Sequence, residues 1–350
     1  MQDMDEALPV AVVGVGRMGR HHARTYHKMA MTDLVAVVDF DQQRAQALAD
    51  EYGCKAYASV EALLEHCPQV KAVTIAVPTQ YHQAAATPLM QKGIACLMEK
   101  PIAGSAKEAA QIVELAKANG CVLQIGHTER FNPAVRALVA MDMTPRYIEV
   151  TRLSPMTFRS LDVGVVMDMM IHDLDIVLSL VGRPIVDVQA VGVTMLGEHE
   201  DLCDARLTFE GGCVVTMKGS RMALDTQRTL RLFSEDGYVS LDYGTREGII
   251  VSKAKNAAAL SDAKQRLSKG ADLSDVNYLE LIEAEPLSIE LPEDETDQLT
   301  AQAKAFVHAI RTGSEPIVTG AHGSAAVDTA ERIVAAITGH AWDELDNTSN

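Results

Sequence analysis

The stretch Ala11-Val12-Val13-Gly14-Val15-Gly16-Arg17-Met18-Gly19, with Asp39 twenty residues after Gly19, decides how the first part of this chain folds. Ala11 to Val13 reads as a buried strand, and the residues from Arg17 to Tyr26 read as a helix opened by the glycines. Glycines in this pattern let the backbone turn tightly and approach a pyrophosphate, which then rests on the N–H groups of the helix N-terminus. A glycine turn without a ligand has the same pattern, so the flanking elements carry the reading. Asp39 closes the second strand, Val35 to Asp39, where a carboxylate accepts hydrogen bonds from an adenosine ribose and repels a 2′-phosphate. The expectation is a dinucleotide site built from Gly14, Gly16, Arg17, Met18, Gly19 and Asp39, taking NAD(H) in preference to NADP(H). The alternative for Asp39 is a plain turn residue.

Outward from this motif, short β-branched runs alternate with helical periods as far as Gly126, the signature of βαβ units and a parallel sheet. The runs AVVGVG, LVAVVDF, AVTIAVP, IACLMEK and CVLQIGH are apolar throughout, as strands covered on both faces by helices are. After His127 the pattern changes to one long apolar helix, Val163 to Val181, and then to strands without intervening helices: Ile185 to Met195, Cys203 to Glu210, Cys213 to Ser220, Leu230 to Ser234 and Tyr238 to Tyr243. Gly211-Gly212 and Asp236-Gly237 lie at junctions where a positive φ suits a tight hairpin. The fold class expected is α/β: a doubly wound dinucleotide-binding domain over 1–126, followed over 127–350 by an α+β domain with a mostly antiparallel open sheet. The stretch Ala254 to Asp275 reads as a mobile insertion. Two closing helices carry the apolar stripes Leu299, Ala303, Phe306, Val307, Ile310 and Val327, Ile333, Val334, Ile337, and the last is expected to pack back on the first domain. The acidic run Glu293 to Asp297 suits the positive end of the first helix as a solvated cap.

A length of 350 residues exceeds what one core supports, since single cores stop growing near ~250 residues. With 47% hydrophobic and 23% charged residues the composition is ordinary for a globular chain, which excludes collagen, coiled coil and wholesale disorder. No apolar run approaches the ~20 residues that span a bilayer, and the acidic Met1 to Leu8 is unlike a secretory signal, so a cytoplasmic protein is expected. Forty-eight acids against 31 bases give a net charge of −17, which repels phosphate backbones and anionic membranes. Nucleic acid and membrane are not expected as partners, while an anionic small substrate requires a locally basic cleft. The six cysteines form no CxxC pair and read as reduced, and no His/Asp cluster offers metal-ligand spacing, so no metal is expected.

Two further elements fall at carboxyl ends of strands, the edge where doubly wound sheets bind ligands: Pro78-Thr79-Gln80-Tyr81-His82 and Glu99-Lys100-Pro101. Asp168 and His172 stand four apart on the long apolar helix and share a face with Asp175. Buried polar groups on such a helix are either paired or functional, so a carboxylate-held core histidine is the bland alternative.

The glycine motif with His22 beyond it, the Pro-Thr-x-x-His element, Glu99-Lys100-Pro101 and the Asp-x-x-x-His helix together resemble the glucose-fructose oxidoreductase / inositol dehydrogenase / MocA family of NAD(P)-dependent sugar dehydrogenases. The resemblance runs over nearly the whole chain, with the motifs in the family's order. The segments Gly126 to Pro133 and Leu161 to Asp173 look like the branch that oxidises the 3-hydroxyl of UDP-linked N-acetylhexosamines such as UDP-GlcNAc, giving a 3-keto sugar nucleotide for lipid A or surface polysaccharide synthesis. A UDP-N-acetylglucosaminuronic acid, a free polyol such as inositol, or a non-catalytic NAD-binding sensor are the alternatives. The resemblance implies Lys100, Asp168 and His172 as the catalytic set, and Pro78, Thr79, His82, Glu99 and Lys100 as further cofactor contacts. Lys100 would stabilise the developing alkoxide and His172, oriented by Asp168, would take the proton, although a depressed Lys100 is also suited to that role. Glu129, Arg130, Asn132, Arg159 and His172 are expected on the substrate, with Arg130, Arg152 and Arg159 as the candidates for the diphosphate. A homodimer or homotetramer assembled through the open sheet is expected on the same grounds.

Overall fold

In the computed structural model, strand β1 (Leu8–Val13) pairs in parallel with both β2 (Thr32–Val38) and β4 (Ala72–Ile75), and the chain is described over residues 6–157, 162–253, 255–274, 283–287 and 297–340. With β3 (Lys55–Tyr57), β5 (Ala95–Glu99) and β6 (Leu123–Gly126) it forms a six-stranded sheet in the order β3-β2-β1-β4-β5-β6, parallel throughout. The order reverses between β1 and β4, so the loops after these two strands open a crevice at the carboxyl edge. Val10, Ala11, Val12, Val73, Ile75, Leu97 and Met98 are buried because helices cover both faces. Three of those helices start at side-chain caps: Asp41 accepts from Arg44 N, Ser59 from Ala62 N and Ser105 from Glu108 N.

The chain divides into two compact units, Met1–Phe131 with Leu291–Thr329, and Asn132–Glu290 with Ala330–Asn350. The sequence reading draws a single boundary at 126/127. Two features move it. The turn Thr128–Phe131 packs against the helix Gln298–Thr312, and that helix buries Ala303 and Phe306 in the same core as Val12, Tyr26 and Leu97. The penultimate helix thus belongs to the first unit, and the final helix Gly320–Thr338 packs back on it as expected over residues 320–329, where Gly320 meets Leu123 and Val113 and Gly323 meets Ile125, before its remaining residues join the second unit. Asp297 caps the helix Gln298–Thr312 through Thr300 N, as expected of the acidic run, whose other members lie outside the described residues.

The second unit is built on β7 (Tyr147–Leu153), β8 (Ile185–Val193), β9 (Leu202–Phe209), β10 (Val214–Ser220), β11 (Gln227–Phe233), β12 (Gly237–Asp242), β13 (Glu247–Ser252) and β14 (Glu285–Pro286). They form an eight-stranded sheet in the order β14-β13-β12-β11-β7-β10-β9-β8, antiparallel except for the β7–β10 pair. One face packs Ile148, Val150, Ala205, Leu207, Val215, Met217, Leu230 and Leu232 around the helix Ile171–Val181, while Glu149, Thr151, Thr216 and Arg231 lie on the other. Gly211 and Gly212 turn the β9–β10 hairpin at φ +86° and +88°, as expected. Gly237 corrects its expectation: its φ is not positive, and its missing side chain instead makes room for the Val251 carbonyl, 2.4 Å from where a Cβ would stand. The supposed mobile insertion contains a helix, Ala257–Ser268, anchored by Asn256, whose side chain donates to Ser252 O and Glu283 O and accepts from Glu283 N. No helix among the described residues is long and apolar enough to cross a membrane.

Candidate active site

The glycine motif leaves β1 in a turn that the three glycines shape differently. Gly14 holds φ +84°, and a Cβ there would sit 2.7 Å from Val77 N on the loop after β4. A Cβ on Gly19 would sit 1.8 Å from Gly14 O, so the helix Arg17–Lys28 packs directly on the turn. Gly16 faces open space, with no atom within 4 Å of its absent side chain, which leaves the helix N-terminus accessible to an anion. Asp39 ties the second strand to this turn: its Oδ2 accepts from Val15 N at 2.8 Å and its Oδ1 from Asp41 N at 2.9 Å. Arg44 stands 3.7 Å from the same carboxylate.

Gly14, Gly16, Met18, Asp39 and Pro78 line one cleft of about 710 Å³ in the first unit, with Phe40, Arg44, Ser59, Val60 and Tyr81. Volume, open Gly16 and buried carboxylate fit the adenosine diphosphate part of NAD. Phe40 was missed by sequence reasoning, which named Tyr81 only as part of the Pro78 to His82 element. Phe40 is 87% exposed although it directly follows Asp39, the first residue beyond β2, and an aromatic in that place is the available sequence signal. Arg17 is exposed on the first turn of the helix, and Thr79 begins the short turn Thr79–Tyr81.

His82 does not open toward this cleft. Its ring is buried, with Nδ1 3.2 Å from Ile102 O and Nε2 3.0 Å from Val77 O, so it joins the loops after β4 and β5. Burial pushes its pKa down, against the two carbonyl contacts that raise it. Glu99 is likewise turned inward: its Oε1 lies 2.6 Å from Nε2 of His22, which is fully buried on the glycine-motif helix. Gly126 on the neighbouring strand leaves room for this carboxylate, since a Cβ there would come within 3.2 Å of it. Burial pushes the Glu99 carboxyl up, but the hydrogen bond and charge of His22 and the charge of Lys100 more than offset it and hold the group below the usual range. The pair anchors the end of β5, from which half-buried Lys100 and a cis Lys100-Pro101 bond follow. His82 and Glu99, expected as cofactor contacts, therefore hold the loops that carry Pro78 and Lys100. Glu129 is buried and Arg130 half-buried on the turn Thr128–Phe131.

In the second unit the helix bearing Asp168 and His172 departs from the expected single α-helix. Val166–Met170 is a π-turn, closed by Ile171 N donating to Val166 O, and a regular helix follows over Ile171–Val181. The extra residue in that turn shifts the faces. Asp168 and His172 are half-buried beside Met167 and Met169, whereas Asp175, expected to share their face, is buried. Asp173 accepts from Arg152 in a bidentate buried bridge of 2.6 and 2.9 Å. Arg152 is thereby withdrawn from the diphosphate candidates, because its planar fork is matched to a carboxylate in the core. Asn132 caps the helix Pro133–Ala140 through Ala134 N and is 1% exposed, a structural use in place of the expected sugar contact. Arg159 lies outside the described residues. Among the described residues no three His, Cys, Asp or Glu are grouped to hold a metal ion.

Comparison with known proteins agrees with this geometry. Residues 8–127 match an oxidoreductase family with an NAD-binding Rossmann fold, and residues 135–240 match the GFO/IDH/MocA C-terminal domain. The chain is 42% identical to UDP-N-acetylglucosamine 3-dehydrogenase of Acidithiobacillus ferrooxidans over 237 residues, 67% of this chain and 74% of that protein. It is 30% identical to inositol 2-dehydrogenase of Corynebacterium glutamicum over 53% of this chain and 58% of that one. A solved structure of the Acidithiobacillus ferrooxidans enzyme superposes with a TM-score of 0.81 and 33% identity, covering 95% of this chain and 98% of that one. This chain belongs to the Gfo/Idh/MocA family of NAD-dependent oxidoreductases.

Proposed function

We propose that this enzyme oxidises the 3-hydroxyl of UDP-N-acetylglucosamine to the 3-keto sugar nucleotide, with Lys100, Asp168 and His172 as its catalytic residues. The observation that supports this most is the 42% identity to a UDP-N-acetylglucosamine 3-dehydrogenase over three quarters of that protein's length. NAD⁺, when bound, would supply the acceptor for the hydride leaving C3. The Lys100 ammonium donates a hydrogen bond to the reacting oxygen and stabilises the negative charge that grows there. His172 accepts the hydroxyl proton, and Asp168, one helical turn before it, orients the imidazole. Asp39 would hold the adenosine ribose and select against a 2′-phosphate, while Gly16 would let the pyrophosphate reach the helix N-terminus.

The substrate is a dianionic diphosphate and the chain carries a net charge of −17, so local cations have to bind it. Arg130 is the described candidate, with Glu129 hydrogen-bonding the sugar or uracil, and Arg159 is retained from the sequence reading. The product ketone is suited to transamination toward an aminated sugar for lipid A or a surface polysaccharide. The enzyme works in the cytoplasm as a homodimer or homotetramer through the open face of the eight-stranded sheet, where Arg231 lies over the rings of Phe233 and Tyr238.

The test is turnover of purified enzyme with NAD⁺ and a panel of UDP-hexosamines, UDP-N-acetylglucosaminuronic acid and inositol. NADH formation with UDP-N-acetylglucosamine, lost in Lys100→Ala while NADH binding persists, supports the reading. Turnover confined to inositol or to the uronic acid, or full activity in Lys100→Ala, overturns it.

A further inference from the structure

The helix that carries Asp168 and His172 begins without a side-chain cap from its own leading residues. Its first amides are instead met by Glu200, on the loop between β8 and β9. The Glu200 carbonyl accepts from Val165 N at 2.9 Å, and its Oε1 accepts from Val166 N at 3.1 Å. The carboxylate fills the space a side chain at 164 would take: a Cβ on Gly164 would stand 2.0 Å from Oε1, 2.3 Å from Cδ and 2.4 Å from Oε2. Gly164 O in turn accepts from Asp168 N at 3.0 Å, so the backbone that Glu200 presses against is hydrogen-bonded to Asp168 itself.

The loop that carries Glu200 is itself tied down at the next residue. The adjacent Asp201 accepts from Met195 N at 2.6 Å and Leu196 N at 2.8 Å through Oδ2, and from Arg221 Nε at 2.6 Å through Oδ1. Arg221 reaches on to Val163 O at 2.7 Å, immediately before Gly164. One chain of contacts therefore links the end of β10, the β8–β9 loop and the start of the helix. Farther along, Met170 of the π-turn is seated over Gly219, where a Cβ would lie 2.5 Å from its Cγ. A serine or aspartate cap in the preceding residues would satisfy the same amides, but would fix only the helix's own first turn. A carboxylate delivered from the sheet fixes the helix relative to the sheet, and the helix dipole compensates its burial.

We infer that Glu200 is a positioning residue for the oxidation: through Gly164 and the π-turn it sets the depth and rotation of the helix, and so the places of Asp168 and His172. This rests on the proposed catalytic role of those two residues. Displacing a catalytic group by about 1 Å lowers turnover by up to ~10²-fold, without any change to the parts that bind cofactor.

The test compares Glu200→Ala, Gly164→Ala and Glu200→Gln in the full chain, by steady-state kinetics with NAD⁺ and UDP-N-acetylglucosamine, NADH binding by fluorescence, and amide exchange over 163–171. Glu200→Ala and Gly164→Ala are expected to lower kcat about 10- to 100-fold, to leave the Kd for NADH within about threefold, and to speed exchange at Val165 and Val166. Glu200→Gln keeps an acceptor in place and is expected to retain at least about a third of kcat and the slow exchange. Unchanged kcat in Glu200→Ala and Gly164→Ala overturns the inference, as does a Glu200→Gln enzyme as impaired as the alanine. Loss of NADH binding in step with kcat also overturns it, because that is general unfolding. If Glu200→Ala does not fold, Gly164→Ala and Glu200→Gln decide alone. A wild-type enzyme inactive on every substrate in the panel defeats the functional reading, and the exchange comparison still tells whether the clasp exists.

Discussion

Gly19→Ala is the sharpest perturbation of the cofactor site. The added Cβ would stand 1.8 Å from Gly14 O, whereas van der Waals contact begins near 3.4 Å, so turn and helix must separate by about 1.6 Å. Both contacts are backbone, with no flexible side chain to yield. The turn side is fixed, because Gly14 N donates to Val38 O at 2.7 Å, Val15 N donates to Asp39, and Val77 blocks retreat on the other side of Gly14. The helix N-terminus is therefore the part that moves. A shift of this size stretches hydrogen bonds from helix amides to a pyrophosphate beyond useful length. Two such bonds to a charged acceptor, at about 1.5–3 kcal/mol each, correspond to NADH binding weakened by roughly 10²- to 10⁴-fold. Fluorescence titration of NADH against Gly19→Ala measures it, with circular dichroism to establish that the variant is folded. Binding within threefold of wild type in a folded variant would refute the reasoning that the close packing of Gly19 on Gly14 forms the anion site.

Three further outcomes follow from the same structure. Asp173→Ala leaves the Arg152 guanidinium buried without its bidentate carboxylate and is expected to destabilise the second unit by about 3–5 kcal/mol, while the double replacement Arg152→Met/Asp173→Leu recovers most of this in urea denaturation. Asp39→Ser removes the charge that opposes a 2′-phosphate and the acceptor for Val15 N. The preference for NAD⁺ over NADP⁺ in kcat/KM is expected to fall at least about tenfold. Acidification is expected to destabilise the fold in two windows. Burial holds His82 below the ordinary histidine value, so the unfolded chain takes up that proton first, and stability falls as pH drops below about 6.5; the slope from pH 7 to 5 is shallower in His82→Gln. Burial pushes Asp201 up, but the amides of Met195 and Leu196 and the charge of Arg221 more than offset it and depress its pKa. Its contribution is present above the ordinary aspartate value and is lost as pH falls through the depressed one, a step absent from Asp201→Asn.

Much of this was legible in the sequence because the deciding signals are local. The apolar runs around Val12, Val73 and Leu97 announce strands buried on both faces, and the spacing from Gly14 to Asp39 announces the cofactor crevice. What was missed depends on distant partners or on lengths too short to show a period. β3 has three residues and begins at an exposed lysine. β7 alternates cleanly, but its third inward position is Arg152, which looks like surface until Asp173 is brought to it. The four-residue spacing of Asp168 and His172 was visible, yet the π-turn that re-phases their helix is shaped by Glu200 and Gly219, far along the chain. His22 and Glu99 lie 77 residues apart, so neither residue's neighbours reveal that the carboxylate faces inward.

The most direct test of the central claim is isotopic. UDP-N-acetylglucosamine carrying deuterium at C3 is incubated with the enzyme and NAD⁺, with the ketone trapped to draw the equilibrium forward, and both products are analysed by mass spectrometry. The account predicts deuterated NADH together with a trapped 3-keto sugar nucleotide that has lost its C3 deuterium, and no deuterium transfer in His172→Ala or Lys100→Ala. Recovery of the label in the sugar while NADH forms, or transfer undiminished in both variants, would contradict it.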